Sequence, residues 1–550
     1  VRQKSMTKSK EPRVSFEIPT DRYVEFMRLL REQLETEGTF KANYLLEKVE
    51  SKIQDGPSAV TDTERREKAT KKWLAREELN RATNIRLMFA DETDFLFLND
   101  RGFPVSARDV IEWCREQISR LLGESVPWDD LRGSFSGGAS TSVRRGVGNV
   151  PRKYQEGQDV TAGAYWHWLR LTVSTVGLPR DLNLIEGNVM FTVPKTSEID
   201  RVACKEPDLN MYCQKAVGDY IRRRLKTVGI NLNDQEINQE LAREGSISGE
   251  LATIDLSSAS DSVTKQLVIE LLPFEWTSLL LDLRSPITMI DGVPHENEMI
   301  SSMGNAFTFE LESLIFWALT RACAWFTGTR GRVSVYGDDI ICPVGLEDAL
   351  EETFEFFGFT INREKSFWSG QFRESCGKHW FNGFDVTPFF VKRTPRNISD
   401  WCHLLNSLRR WCSIGGICDP SYWPIWSLFA ELIPRPLWGA KDLSRVDALC
   451  APNVRCLARV KPKRLHRGRV EAELQRGAYL QWLDATKDRE AAVEVIGRFS
   501  TNKSAYDWSM MERAVATDQF AEEGNLEWVH RPQLDWSVGM PVFPEEIKAS

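Results

Sequence analysis

The chain has 550 residues, 42% of them hydrophobic and 27% charged, with a net charge of −8, which bounds it as a large-cored protein of several subdomains. No apolar run approaches the roughly 20 residues that span a bilayer, since the longest, LIFWALTRACAWF, is broken by Arg321; no membrane partner is expected. Eleven scattered cysteines without a CxxC exclude a disulfide framework or a zinc ribbon and suit a reducing cytoplasm.

In chain order, VRQKSMTKSKEPR reads as a basic, frayed tail over 1–20; it begins at Val1, a processing boundary by expectation, with Met6 a candidate natural start. Residues 20–120 carry charged helical segments such as DTERREKATKKWLAREELNRA and show no site chemistry. SFSGGASTSVRRG, ending in Arg144 and Arg145, is a linker or a flexible contact to a sugar-phosphate backbone. FTVPKTSEIDRVACKEPDLN supplies Lys195, Arg201 and Lys205, suited to a triphosphate, although surface ion pairs explain them equally well. IRRRLK offers Arg222 and Arg223 to RNA, or is a solvated helix face over a stripe of Ile221, Leu225 and Val228.

LATIDLSSASDSVTKQLVIELL predicts a strand over Leu251–Leu256 and a helix beginning near Asp261. Asp255 then ends the strand, where a ligand can approach. Asp261 is a helix N-cap or a contact near the nucleotide sugar. In SSMGNAFTFELESLIFW a flexible turn precedes a helix that packs Phe309, Leu311, Leu314 and Ile315 inward. There Gly304 permits close backbone approach, and Asn305 has the donor and acceptor needed to read a ribose 2′-OH, or else caps the helix.

SVYGDDIICP predicts strand, turn, strand, with Asp338 and Asp339 at a hairpin tip. Adjacent carboxylates in an apolar setting repel and lose hydration. Two or three carboxylates with substrate phosphates are the usual seat of Mg²⁺, and two such ions clamp the attacking and leaving oxygens of phosphoryl transfer; Mn²⁺ is a possible substitute. Asp255 is the natural third carboxylate. FRESCGKHWFNGF reads as a hairpin with Asn382-Gly383 as a type I′ turn. Cys376 and His379, with Cys402 and His403, lack paired zinc spacing and are given core or turn roles. SDWCHLLNSLRRWCSIGG is a helix capped by Ser399 or Asp400 and stopped at Gly415. RCLARVKPKRLHRGR holds Arg455, Arg459, Lys461, Lys463 and Arg464 among seven basic residues and no acid, the pattern of an RNA-binding surface arm. Neither a GxxxxGK[ST] loop nor an HExxH occurs.

VPKTSEIDR, IDLSSASDS, SSMGNAFTFELES, VYGDDI, NREKSF and FRESCGKHWFNGFDVTPF follow in that order over about 190–395. Together they resemble the replicase subunit of the positive-strand RNA bacteriophages, the leviviruses. The resemblance implies an α+β right-hand polymerase with an antiparallel-sheet palm, fingers and a mostly helical thumb. It implies fingers in 191–250, palm in 251–395, thumb and C-terminal region in 396–550, and 21–190 contributing helices to fingers and thumb. It assigns Asp255, Asp338 and Asp339 to catalytic magnesium, and Lys195 and Arg201 to the incoming triphosphate. Ser302, Gly304 and Asn305 fall to the nucleotide and template pocket, and Lys365 to the pyrophosphate side as a proton donor. The expected activity is RNA synthesis from NTPs on an RNA template in the cytoplasm of an infected bacterium. Expected partners are the template and product RNA, host elongation factors Tu and Ts, and an RNA-binding ribosomal protein. The alternatives are a reverse transcriptase, which also uses a Tyr-x-Asp-Asp hairpin, and a non-catalytic RNA-binding viral protein.

Overall fold

A helix apolar on every side belongs in a core. Helix Thr308–Phe326 is such a helix: Leu311, Leu314, Ile315, Phe316, Ala318 and Leu319 are fully buried, and only Arg321 and Trp325 along its second half face outward. The computed structural model describes residues 18–55, 60–144, 148, 150–172, 182–414, 417–433 and 449–450. Residues 1–17 of the basic tail, Arg145, Gly415 and the arm with Arg455, Arg459, Lys461, Lys463 and Arg464 lie outside the described residues, whereas Ile18 is buried and Thr20 opens a helix, so the tail stops short of residue 20.

Two units share the chain. The larger takes its described residues from 60–387 and is built around the Thr308–Phe326 helix, with helices Ala107–Leu122 and Asp208–Thr227 packed into the same core. Helix Asp62–Met88 begins with a reciprocal capping box between Thr61 and Glu64. A short hairpin, Phe95–Leu98 with Pro104–Ser106, interrupts the helical region expected over 20–120.

Two sheets matter for function. In the first, the order is Ser334–Tyr336, Asp339–Pro343, Leu251–Ile254, all antiparallel, as expected of the palm. In the second, Val293–Glu296, Ile287–Ile290, Gly187–Pro194 and Asp200–Lys205 lie in that order, with one parallel pairing, between 187–189 and 287–289. Arg65, itself buried, ties this sheet to the helix Asp62–Met88 through Asp200 at 3.1 Å.

FRESCGKHWFNGFD forms a three-stranded meander, Phe372–Ser375, Lys378–Phe381 and Phe384–Asp385. Asn382 and Gly383 both have positive φ, 49° and 81°, as a type I′ turn requires. A second such turn, Cys376-Gly377 with φ of 50° and 70°, was not anticipated. Cys376 and His379 thus take turn and strand positions, and every described cysteine is a free thiol. Arg373, fully buried, anchors the meander by donating Nε to the Leu251 carbonyl at 2.6 Å and Nη1 to three further carbonyls.

The smaller unit takes its described residues from 18–55 and from 388 onward. Helices Thr20–Glu37, Phe40–Lys48, Ile398–Trp411 and Trp423–Ala430 enclose a core in which Trp401 stacks on Phe429 at 5.3 Å and Phe26 meets both rings edge-on. The cap of helix Ile398–Trp411 is Asn397, whose side chain accepts the Asp400 N–H, and neither Ser399 nor Asp400. Its last residue is Trp411, ahead of the expected stop at Gly415.

Candidate active site

Tyr336 pairs with Asp339 across the hairpin, leaving Gly337 and Asp338 as a two-residue turn. Gly337 has a φ of 61°, and a Cβ there would fall 2.6 Å from the Phe309 ring and 3.2 Å from Glu312 Oε1. Its N–H donates to Ser313 Oγ at 3.0 Å, so the tip is bolted to the central helix. On the other side Ile340 pairs with Ile254, and continuing that register by one residue sets Asp339 opposite Asp255. Asp255 is held by the segment that follows it in space. Its Oδ2 accepts Asn362 Nδ2 at 2.8 Å, its carbonyl accepts the Asn362 N–H at 2.9 Å, and its own N–H donates to Ser366 Oγ at 3.1 Å. The Lys365 N–H closes that same turn on the Asn362 carbonyl at 3.0 Å, placing Lys365 on the exposed rim beside the carboxylates.

The electrostatics record the crowding. Burial, then the charge of Asp255, raises the Asp338 carboxyl above its ordinary range, while Arg201 and Lys365 pull it back. Asp339 is pushed up to about 7 by burial and by Asp338 and Asp255. Across the site, Lys195 is depressed by partial burial and by the neighbouring cations Arg201, Lys72 and Lys365, with Asp255 opposing. Asp255, Asp338 and Asp339 form no salt bridge with Lys or Arg within the described residues.

The Ser302–Ala306 turn packs against strand Asp200–Lys205. The Cys204 N–H donates to the Met303 carbonyl at 2.8 Å, and Gly304, at φ 118°, leaves its α-carbon hydrogen where a Cβ would fall 2.1 Å from the Cys204 carbonyl oxygen. Ser302 is buried with its hydroxyl 3.5 Å from the Met299 sulfur. Asn305 is 7% exposed; its Oδ1 accepts the Phe307 N–H at 3.0 Å, while Nδ2 is buried with no partner. Helix Thr308–Phe326 has no side-chain cap, so Asn305 is not its N-cap.

Several expectations change. The strand before Asp255 ends at Ile254 and the helix begins at Lys265, capped by Thr264, which accepts the Leu267 N–H. Asp261 instead sits in a short 3-10 turn with Oδ1 buried and unpartnered, pushed up to about 6 by burial and Glu77 against the pull of Arg76, Arg201 and Lys72. Of the stripe read in IRRRLK, Ile221 and Leu225 are fully buried but Val228 is 42% exposed. Arg222 is no solvated residue: Nε donates to Glu310 at 2.9 Å and Nη1 to the Leu232 carbonyl. Arg223 donates to the Asp130 carbonyl at 2.9 Å from an exposed position, and Arg144 is exposed. Lys205 lies over the Phe191 ring at 5.7 Å.

Sequence reasoning missed Lys72 and Arg76 of helix Asp62–Met88. They stand at i, i+4, a spacing that puts them on one face, while Trp73, Glu77 and Asn80 are buried. Asn80 Nδ2 donates to the Asp261 carbonyl at 2.8 Å, so this helix carries its two cations to Asp261. Also missed was Glu312, buried on the central helix with Oε2 unpartnered and raised by burial and by Asp338.

Among the described residues no group of three or more His, Cys, Asp or Glu side chains is already arranged to hold a metal ion. The donor set still fits a hard divalent cation. It consists of carboxylates alone, burial and mutual repulsion disfavour their charge, and no Lys or Arg of the described residues neutralises them by ion pairing.

An antiparallel three-stranded sheet bearing paired carboxylates on its hairpin, with a buried helix bolted behind it, belongs to an α+β polymerase fold. The family model described as RNA replicase, beta-chain, matches residues 22–519. The chain belongs to that family, the replicase β-subunits of RNA phages. It is 45% identical to the RNA-directed RNA polymerase subunit beta of Enterobacteria phage SP over 404 residues, 72% of this chain and 68% of that one. It is 39% identical to the RNA-directed RNA polymerase beta chain of Enterobacteria phage GA, over 76% of this chain and 75% of that one. Among solved structures it aligns with the BmCPV RNA-dependent RNA polymerase at 12% identity and a TM-score of 0.37, over 63% of this chain and 35% of that one. No helix among the described residues is long and apolar enough to cross a membrane.

Proposed function

We propose that this chain copies an RNA template from ribonucleoside triphosphates, the 3′-OH of the growing strand displacing pyrophosphate from the α-phosphate of the incoming NTP. The observation that carries the reading is the set of three carboxylates, unpaired by any cation of the described residues, facing a rim of Lys195, Arg201 and Lys365. Asp255, Asp338 and Asp339 would hold two Mg²⁺ ions, which when bound neutralise charge on the attacking and leaving oxygens. Lys195 and Arg201 grip the triphosphate, one as a point charge and the other as a fork. Lys365 gives a proton to the departing pyrophosphate. Positioning supplies much of the remaining rate.

Sugar choice falls to Asn305, whose unpartnered Nδ2 awaits an acceptor. A site built to bind a hydroxyl rejects the analogue lacking it because its buried polar groups are left unpaired. Asn305→Ala therefore lowers the preference for NTP over dNTP by roughly tenfold or more. Purified protein given primed RNA with NTPs or dNTPs measures this. A lower rate at unchanged preference would reduce Asn305 to a structural role. The same assay separates the polymerase from a reverse transcriptase, which prefers dNTPs, and from a non-catalytic RNA binder, which incorporates neither.

A net charge of −8 gives little long-range attraction for RNA. Phosphate contacts also carry no sequence information. Template choice is accordingly delegated to host proteins in the bacterial cytoplasm: elongation factors Tu and Ts and an RNA-binding ribosomal protein, the partners the resemblance implies. Tagged chain purified from its host has the mass of a heteromeric complex. A fully active free monomer would refute that assembly.

A further inference from the structure

Helix Asp208–Thr227 runs behind the Ser302–Ala306 turn, and two residues on one of its faces meet the turn's backbone. Gln214, fully buried, accepts the Ala306 N–H on Oε1 at 3.1 Å. Its Nε2 donates to Glu206 Oε2 at 3.0 Å and to the Leu283 carbonyl at 2.9 Å. One helical turn on, Gly218 makes room for the same residue, since a Cβ there would fall 2.7 Å from the Ala306 carbonyl oxygen. Glu206 is fixed in turn by Asn188 Nδ2 at 2.6 Å and Ser285 Oγ at 2.8 Å.

Ala306 directly follows Asn305. The Asn305 side chain has its Oδ1 engaged by the Phe307 N–H and its Nδ2 buried and free. Where that Nδ2 points is set by the peptide that Gln214 holds on one side and by Gly304, pressed against Cys204, on the other. Glutamine suits the task chemically. One acceptor faces an N–H and two donors face a carboxylate and a carbonyl, an arrangement neither glutamate nor an apolar side chain reproduces.

We infer that Gln214 is a positioning residue for sugar selection, aiming Asn305 through the Ala306 peptide; this rests on the reading of Asn305 as the ribose contact. The test compares full-length variants on primed RNA, taking the ratio of kcat/KM for an NTP to that for the matching dNTP. Gln214→Met keeps the length and removes the amide, and lowers the ratio by roughly fivefold or more. In an Asn305→Ala background the same change has no further effect on the ratio. Gly218→Ala presses on the same peptide without touching the amide and also lowers the ratio, so the inference does not depend on one variant folding. Thr353→Val removes a buried hydrogen bond outside this network, to the Ala349 carbonyl at 2.6 Å, and leaves the ratio unchanged, which a general loosening of the core would not. If Asn305→Ala lowers the ratio while Gln214→Met and Gly218→Ala keep the wild-type value, the inference is overturned and the ribose reading stands. If Asn305→Ala itself keeps the wild-type ratio, the ribose reading falls and the inference with it.

Discussion

Asp338→Asn abolishes RNA synthesis in a protein that remains folded. In the structure Asp338 is disfavoured as an anion by burial first and by Asp255 next. Removing its charge relieves repulsion, so the metal-free fold loses no stability. Catalysis loses a ligand at the point where charge develops, and a thousandfold fall in rate corresponds to about 4 kcal/mol of transition-state stabilisation. The check is labelled NTP incorporation in Mg²⁺ beside a thermal unfolding curve recorded without it. Near-normal incorporation would sink the metal assignment, and a large drop in the metal-free midpoint would sink the electrostatic one.

Gly304→Ala is expected to be nearly as damaging by a different route. Gly304 holds a φ of 118°, and an added Cβ would lie 2.1 Å from the Cys204 carbonyl oxygen. That carbonyl belongs to a strand paired along its length with Gly187–Pro194, so it cannot retreat cheaply. Backbone strain of about 1–3 kcal/mol is added to overpacking of similar size. The turn must move, and a shift of about 1 Å at a positioning group can cost roughly a hundredfold in rate. We expect a raised KM for NTPs, a depressed kcat and a lower melting midpoint. A variant with wild-type KM would show that the turn does not approach the nucleotide.

The parts of this site that were legible in the sequence are those whose chemistry is local. Gly337 between β-forming flanks specified a hairpin with Asp338 at its tip, and Asn382-Gly383 specified a type I′ turn, because the required positive φ selects those residue types. The Cys376-Gly377 turn obeys the same rule but was hidden by a residue that rarely initiates turns. The cap at Thr264 was misplaced to Asp261 because both are good N-cap residues, and only the helix start at Lys265, where Thr264 accepts the Leu267 N–H, distinguishes them. Arg222 read as a surface charge because its partner, Glu310, stands 88 positions away. Lys72 and Arg76 sat in a helix so rich in charge that no pattern marked the two that face Asp261.

The smaller unit joins the chain's first helices to segments that come much later: Lys41 donates to the Trp411 carbonyl 370 positions downstream. At the ordinary pace of about 5–20 residues per second, roughly 20–75 s of translation separate the two. Through that interval the apolar face of helix Thr20–Glu37, with Phe26, Leu30 and Leu34, has emerged from the ribosome without the partners Trp401 and Phe429 that later cover it. Helix Thr20–Glu37 thus waits for Trp401 and Phe429 long after it is made, and nascent chains stalled before about residue 430 would present this greasy surface to chaperones, or to one another on a crowded polysome.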